Sequence, residues 1–277
     1  MALTIRTNIQ SLEAQKNLDR TNSALQSSFN RLSSGLRIVS AADDAAGLAI
    51  SESMQTQIRS YTVAERNAQD AVSMLQTAEG ALGEIHSILG RLRELAMQGA
   101  NGSLTSTDRG FLNTEYEALK SEIDRIQDSA KFNGKALLSP VQSTIQFQIG
   151  LDNTSSDQLA ITFGGFGLTA ITNSANFISG GGISNALNAL GIIDSSLSTI
   201  STERAKYGAS MNRLNITISS IQTMRLNLTA ANSRIRDVDV AAETSALARN
   251  QVLAQAGVSV LAQANQLPQI ALNLLQG

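Results

Sequence analysis

Cysteine is absent from the chain, so disulfides and thiolate metal sites are excluded. Tryptophan is also absent, and three tyrosines give a poor stacking surface for bases. With a net charge of −2 and no dense Lys or Arg cluster, nothing favours nucleic acid. The single histidine, His86, falls short of the pair that a zinc protease helix needs. A Ser-His-Asp site would have to use that one residue, and helical spacing puts it one position past a packed seam, where solvent is expected. Met1 to Gln10 has one Arg and no apolar run, so it does not read as a Sec-type signal peptide. Aromatics make up only 4% of the chain, fewer than a compact core of this length would use. Aliphatic and alanine-rich seams between long helices need fewer rings.

What is present is helical periodicity. The last 28 residues, Asn250 to Gly277, carry no charge. Val252, Leu253, Ala256, Val260, Leu261 and Ala264 recur at helical spacing, and Ile270, Leu274 and Leu275 extend the series. A membrane span is the first rival, but nine Asn or Gln residues and Pro268 interrupt the run. Lipid offers carboxamides no partners. The expected arrangement is a helix buried among helices, some of them from other copies of the chain.

Residues 1–40 read as a helix. Ile5, Ile9 and Leu12 open the pattern, and Leu18, Leu25, Phe29, Leu32 and Leu36 resume it after a polar gap. Ser40 is a candidate cap for the next helix, with Asp43 and Asp44 in its first turn. A paired-carboxylate site is the sharper reading, but adjacent helical positions diverge and no further ligands are evident.

The clearest signal is the ladder Tyr61, Ala64, Ala68, Ala71, Leu75, Ala78, Leu82, Ile85, Leu89, Leu92 and Ala96, in steps of 3 and 4. Gly99 and Gly102 suit left-handed turn positions. A second helix carrying Leu112, Tyr116, Leu119, Ile123 and Ile126 is expected to fold back antiparallel, ending near Phe132-Asn133-Gly134. Alternation at Ile145, Phe147, Ile149 and at Leu159, Ile161, Phe163 predicts a β-hairpin over about 141–163. Glycines after it mark loops and lack the spacing of a phosphate-binding loop. From Ser184 the heptad returns, from Leu190 through Ile235, with Arg204, Arg225 and Asn232 as polar members that fix register. Arg234 to Asp239 marks a joint.

The expected fold is mainly α: an elongated antiparallel helical bundle or coiled coil with paired terminal helices and a small β-hairpin. Residues 1–40 and 235–277 would form one discontinuous domain, and 41–234 the other. Two lone terminal helices cannot cover each other's apolar area, so they are expected to be mobile until neighbours cover them.

Three stretches near the start, Ala2-Leu3-Thr4-Ile5-Arg6-Thr7-Asn8-Ile9, Leu32-Ser33-Ser34-Gly35-Leu36-Arg37-Ile38 and Ala42-Asp43-Asp44-Ala45-Ala46-Gly47-Leu48-Ala49-Ile50, resemble the beginning of a bacterial flagellin. Gln255-Ala256-Gly257-Val258-Ser259-Val260-Leu261-Ala262-Gln263-Ala264-Asn265-Gln266 resembles its end. The likeness covers about 1–139 and 184–277. It implies a structural, non-enzymatic subunit without cofactor, exported by the flagellar type III apparatus and assembled outside the cell into a helical homopolymer.

The terminal helices would line the filament and drive assembly through Ile5, Ile9, Leu12, Leu18, Leu25, Phe29, Leu32, Leu36, Leu253, Val260, Leu261, Ile270, Leu274 and Leu275. Partners implied by the resemblance are other flagellins, the filament cap, hook-junction proteins and an export chaperone, with no nucleic acid and no membrane insertion. It also implies a host Toll-like receptor contact at Arg91, Leu95 and Glu115, with Gly90 standing where strongly sensed members carry Gln. Candidate O-glycan acceptors are Ser143, Thr144, Thr154, Ser155, Ser156, Thr172 and Ser174. The short middle implies a thin filament without outer domains. The alternatives are a hook–filament junction protein, a flagellin carrying a protease, and a membrane-active amphipathic protein.

Overall fold

The computed structural model of the protein describes residues 7–166, 168, 171 and 183–276, with side chains through 266. Ile5, Thr172 and Ser174, and the side chains of Ile270, Leu274 and Leu275, lie outside the described residues. Five long helices carry the fold: α1 (Ile9–Ser34), α2 (Ala45–Gly99), α3 (Ser106–Ser129), α4 (Ile183–Arg236) and α5 (Val240–Gln276). Two short antiparallel sheets lie between α3 and α4 in the chain: β1 (Lys131–Phe132) with β2 (Lys135–Ala136), and β3 (Ser143–Gln148) with β4 (Gln158–Phe163). The chain divides into two compact units, Met1–Ile58 with Leu226–Gly277, and Arg59–Arg225. Both division points fall inside a helix, and the sequence breaks near 40 and 235 lie within the first unit.

The second unit holds the core. Every member of the α2 ladder is buried except Tyr61, which is half-buried. Its alanines, Ala64 to Ala78, let a neighbouring backbone approach, and its Leu and Ile half takes larger partners. Against them pack Ile193, Ile200, Tyr207 and Leu214 of α4, Tyr116 and Ile123 of α3, and Leu159, Ile161 and Phe163 of β4. Phe163 and Tyr207 meet with ring centroids 5.5 Å apart. Burial pushes the Tyr116 hydroxyl up to about 12.

α2 and α4 run antiparallel, and ion pairs mark the alignment. Glu65 accepts from Arg225 (2.7 Å) and Gln222 (2.8 Å), Glu79 from Arg204 (2.6 Å), and Asp194 from Arg93 (2.6 Å). The polar heptad positions Arg204 and Arg225 therefore point across to α2. α3 also returns antiparallel along α2, with Arg91 paired to Glu115 at 2.8 Å.

The turn before α3 differs from expectation. Neither Gly99 nor Gly102 takes a left-handed conformation. Arg109 closes the end of α2 instead, donating to the carbonyls of Gly99 and Asn101 at 3.0 Å each. A capping box between Thr105 and Asp108 starts α3. His86 is half-buried rather than solvent-facing, and its Nδ1 is enclosed with no hydrogen-bond partner among the described residues. α2 has neighbours on two sides, so a position one past the seam still meets protein.

The expected turn at Asn133-Gly134 is there, but it also closes a small hairpin the alternation did not reveal. Asn133 (φ 46°) and Gly134 (φ 77°) join the pairs Phe132↔Lys135 and Lys131↔Ala136. In the larger hairpin Ile145 faces Ile161 and Phe147 faces Leu159, as the alternation required.

Candidate assembly face of the paired terminal helices

In the first unit α1 lies against α5, and the joint between them is built from backbone. The helix expected over 1–40 stops at Ser34 because Gly35 turns left-handed (φ 73°), its N–H still bonded to the Arg31 carbonyl. The next residues pair with the second joint. Leu36 bridges Asp237, the Arg37 N–H donates to the Arg236 carbonyl at 2.6 Å, and the Val238 N–H donates to the Gly35 carbonyl at 3.1 Å. Arg37 adds a guanidinium bond to the Ile235 carbonyl.

Asp43 holds this joint, and Asp44 starts the helix that follows it. Asp43 accepts from the Val39 and Ser40 N–H groups and the Ser40 hydroxyl, and pairs with Arg31 at 3.4 Å. Arg31 also reaches Glu243 of α5 at 3.9 Å. The cap of α2 is Asp44, not Ser40, since the helix begins at Ala45 and the Asp44 carboxylate accepts from the Gly47 N–H. Any side chain on Gly47 would collide with that carboxylate and with the buried Ile38.

The Ser40 N–H and hydroxyl, then the Val39 N–H and Arg31, hold the Asp43 carboxyl below its ordinary value of 3.8. A folded pKa below the unfolded one stabilises the joint above the ordinary carboxylate range, and that contribution is lost as pH falls through the depressed folded value. The Ser40 amide is therefore expected to lose exchange protection on acidification, and Asp43→Asn should remove that pH dependence. An unchanged acid profile in the variant would assign the effect to another group.

The seam between α1 and α5 uses few large residues. On α1 the covered positions include Ser11, Ala14, Leu18, Thr21, Leu25, Ser28 and Leu32. On α5 they include Leu247, Asn250, Ala254, Gly257, Leu261 and Ala264. Gly257 allows close approach, because a Cβ there would stand 3.2 Å from Leu18 Cδ1. Asn8 donates to the Ala264 carbonyl at 2.7 Å, and the Ser11 hydroxyl donates to the Asn265 carboxamide at 2.7 Å.

The assembly set read from the sequence therefore splits. Leu18, Leu25, Leu32, Leu36 and Leu261 are half-buried, all but Leu36 in the seam itself. Ile9, Leu12, Phe29, Leu253 and Val260 are exposed, as are Val252 and Val258. Phe29 was expected in the same seam, but it is 66% exposed. It borders a groove of about 250 Å³ lined also by Leu25, Gln26, Asn30, Leu247 and Gln251. No described helix is long and apolar enough to cross a membrane.

The expected receptor residues lie on the second unit. Arg91 and Glu115 are exposed and bonded to each other, and Arg91 also pairs with Glu94 at 2.8 Å. Leu95 is fully buried and belongs to the core, so its side chain is not on the surface of this chain.

Residues 5–143 match the family described as the bacterial flagellin N-terminal helical region, and residues 190–275 match the flagellin C-terminal helical region. The chain is 43% identical to the flagellin of Halalkalibacterium halodurans, over 98% of this chain and 99% of that protein. It is 39% identical to the flagellar filament 33 kDa core protein of Treponema phagedenis, over 98% and 99%. The crystal structure of Bacillus cereus flagellin superposes with a TM-score of 0.51 at 33% identity, covering 60% of this chain and 94% of that one.

Proposed function

Because the chain belongs to the bacterial flagellin family and is a subunit of the flagellar filament, we propose that α1 and α5 carry the contacts through which its copies assemble. One observation carries this reading. Ile9, Leu12, Phe29, Val252, Leu253, Val258 and Val260 are 50–66% exposed on one helix pair. Large apolar side chains left uncovered along both helices of a pair are available to neighbouring copies. Meanwhile serines, a threonine, alanines and a glycine fill much of the seam inside the chain. A head-to-tail contact that does not close on itself generates a helical filament.

The filament lies outside the cell, and flagellins are structural proteins. We take export by the flagellar apparatus, an export chaperone, the filament cap and hook-junction proteins as the partners that go with this role. A host receptor contact would rest on Arg91 and Glu115, the two exposed members of its expected set.

Amide exchange tests the proposal. In dilute chain α1 and α5 should exchange fast while the α2–α3–α4 core stays protected, and polymerisation should protect all of them. Full protection of α1 and α5 before assembly would overturn it.

A further inference from the structure

Two Asn-Gly pairs occur in the chain, Asn101-Gly102 and Asn133-Gly134, and all four residues are exposed. This dipeptide carries its own chemistry. The unhindered glycine nitrogen attacks the preceding carboxamide carbon, the new C–N bond closes a succinimide, and ammonia leaves with the amide proton. Water then opens the imide at one carbonyl or the other, leaving aspartate or isoaspartate. The sum is water in and ammonia out, with no oxidant or enzyme. We propose that Asn101 is a site of spontaneous deamidation and that the fold spares Asn133.

The two turns differ in what they hold. At Asn101 the carboxamide oxygen accepts from the Ser103 N–H at 3.1 Å. That bond curls the side chain over the intervening Gly102 nitrogen and draws electron density from the carbon to be attacked. Hydrogen bonds of this turn run from the N–H groups of Ala100, Asn101, Ser103 and Leu104. Among the described residues the Gly102 N–H has no acceptor, so the nucleophile is unengaged.

Asn133 is fixed at φ 46° in a left-handed turn clamped by two strand pairs. Its backbone must leave that conformation before the Gly134 nitrogen can face the carboxamide carbon. The hairpin therefore has to open first.

Reaction at Asn101 has a structural consequence. Its carbonyl is one of the two that Arg109 binds to close α2. Isoaspartate reroutes the chain through the side-chain carbon and turns that carbonyl into a free carboxylate, so the neutral closure of α2 becomes an ion pair on a lengthened backbone.

The test incubates the purified full-length chain at mildly alkaline pH and follows both sites by peptide mass and by separation of isoaspartyl forms. Asn101 should convert at least about tenfold faster than Asn133 in the folded chain, since opening the turn sacrifices hydrogen bonds. The rates should converge in denaturant. Gly102→Ala should slow Asn101 by hindering the attacking nitrogen. Its Cβ would meet Ile183 Cδ1 at an ordinary 3.7 Å, and Gly102 needs no left-handed backbone, so the variant should fold. Equal rates in the folded chain, a gap that survives denaturant, or an unaffected Gly102→Ala variant would each overturn the proposal.

Discussion

Replacing Leu253 and Val260 together with Asp is expected to stop filament growth while leaving the dilute chain folded. Both side chains are about half exposed in the single chain, at 50% and 53%, so a carboxylate there stays hydrated. Once a neighbour covers the face, each becomes an unpaired buried charge costing about 3–5 kcal/mol. At 1.4 kcal/mol per tenfold, even one such cost raises the concentration needed for growth by about a hundredfold or more. Seeded growth followed by sedimentation measures it, with circular dichroism of unassembled material as the folding control. Elongation of seeds at the unmodified rate would remove this face from the assembly contacts. Leu261→Asp supplies the contrast, because Leu261 sits in the seam between α1 and α5. Because that pair is open much of the time in the dilute chain, the substitution should block growth by keeping the pair from forming, with the dilute folding signal little changed.

The second large effect separates folding from assembly with the same chemical change at two places. Leu82 is fully buried in the second unit, and Leu12 is 58% exposed on α1. Leu82→Ala is expected to lower unfolding stability by about 2–5 kcal/mol, the transfer loss plus the cavity left behind. Leu12→Ala should stay within about 0.5 kcal/mol in the dilute chain and instead weaken polymerisation. Denaturant melts of both variants, paired with polymer yield, read the two quantities. A melt shifted as far by Leu12→Ala as by Leu82→Ala would contradict the placement of the core.

Some of this was legible before any coordinates. The α2 ladder was readable because an unbroken alternation of 3 and 4 has only one helical meaning, and burial follows it almost residue for residue. The larger hairpin was readable because a period of two is distinct from a helical one. α1 was harder. Its apolar residues lie on two faces: Leu18, Leu25 and Leu32 on one, Ile9, Leu12 and Phe29 on another. Period alone cannot say which face the same chain covers. The covered face is completed by Ser11, Thr21 and Ser28, which a hydrophobic count passes over. The joint was out of reach for a different reason. It rests on backbone bonds between Leu36–Arg37 and Arg236–Asp237, residues with no compositional signature that meet only when the termini come together. Arg109 is similar, since nothing marks it in advance as the closure of α2.

The charged contacts between α2 and α4 solve a problem that oily stripes create. A stripe repeating every seven residues looks the same to its partner after a slide of one repeat. Glu65 and Glu79 stand two repeats apart, whereas Arg225 and Arg204 stand three apart, and Arg93 with Asp194 reverses the sign. Sliding by one repeat would set Glu79 against Leu197 or Met211 in place of Arg204. Such a slip parts each ion pair and also sets alanine against positions seated for leucine, so the helices carry their own vernier scale.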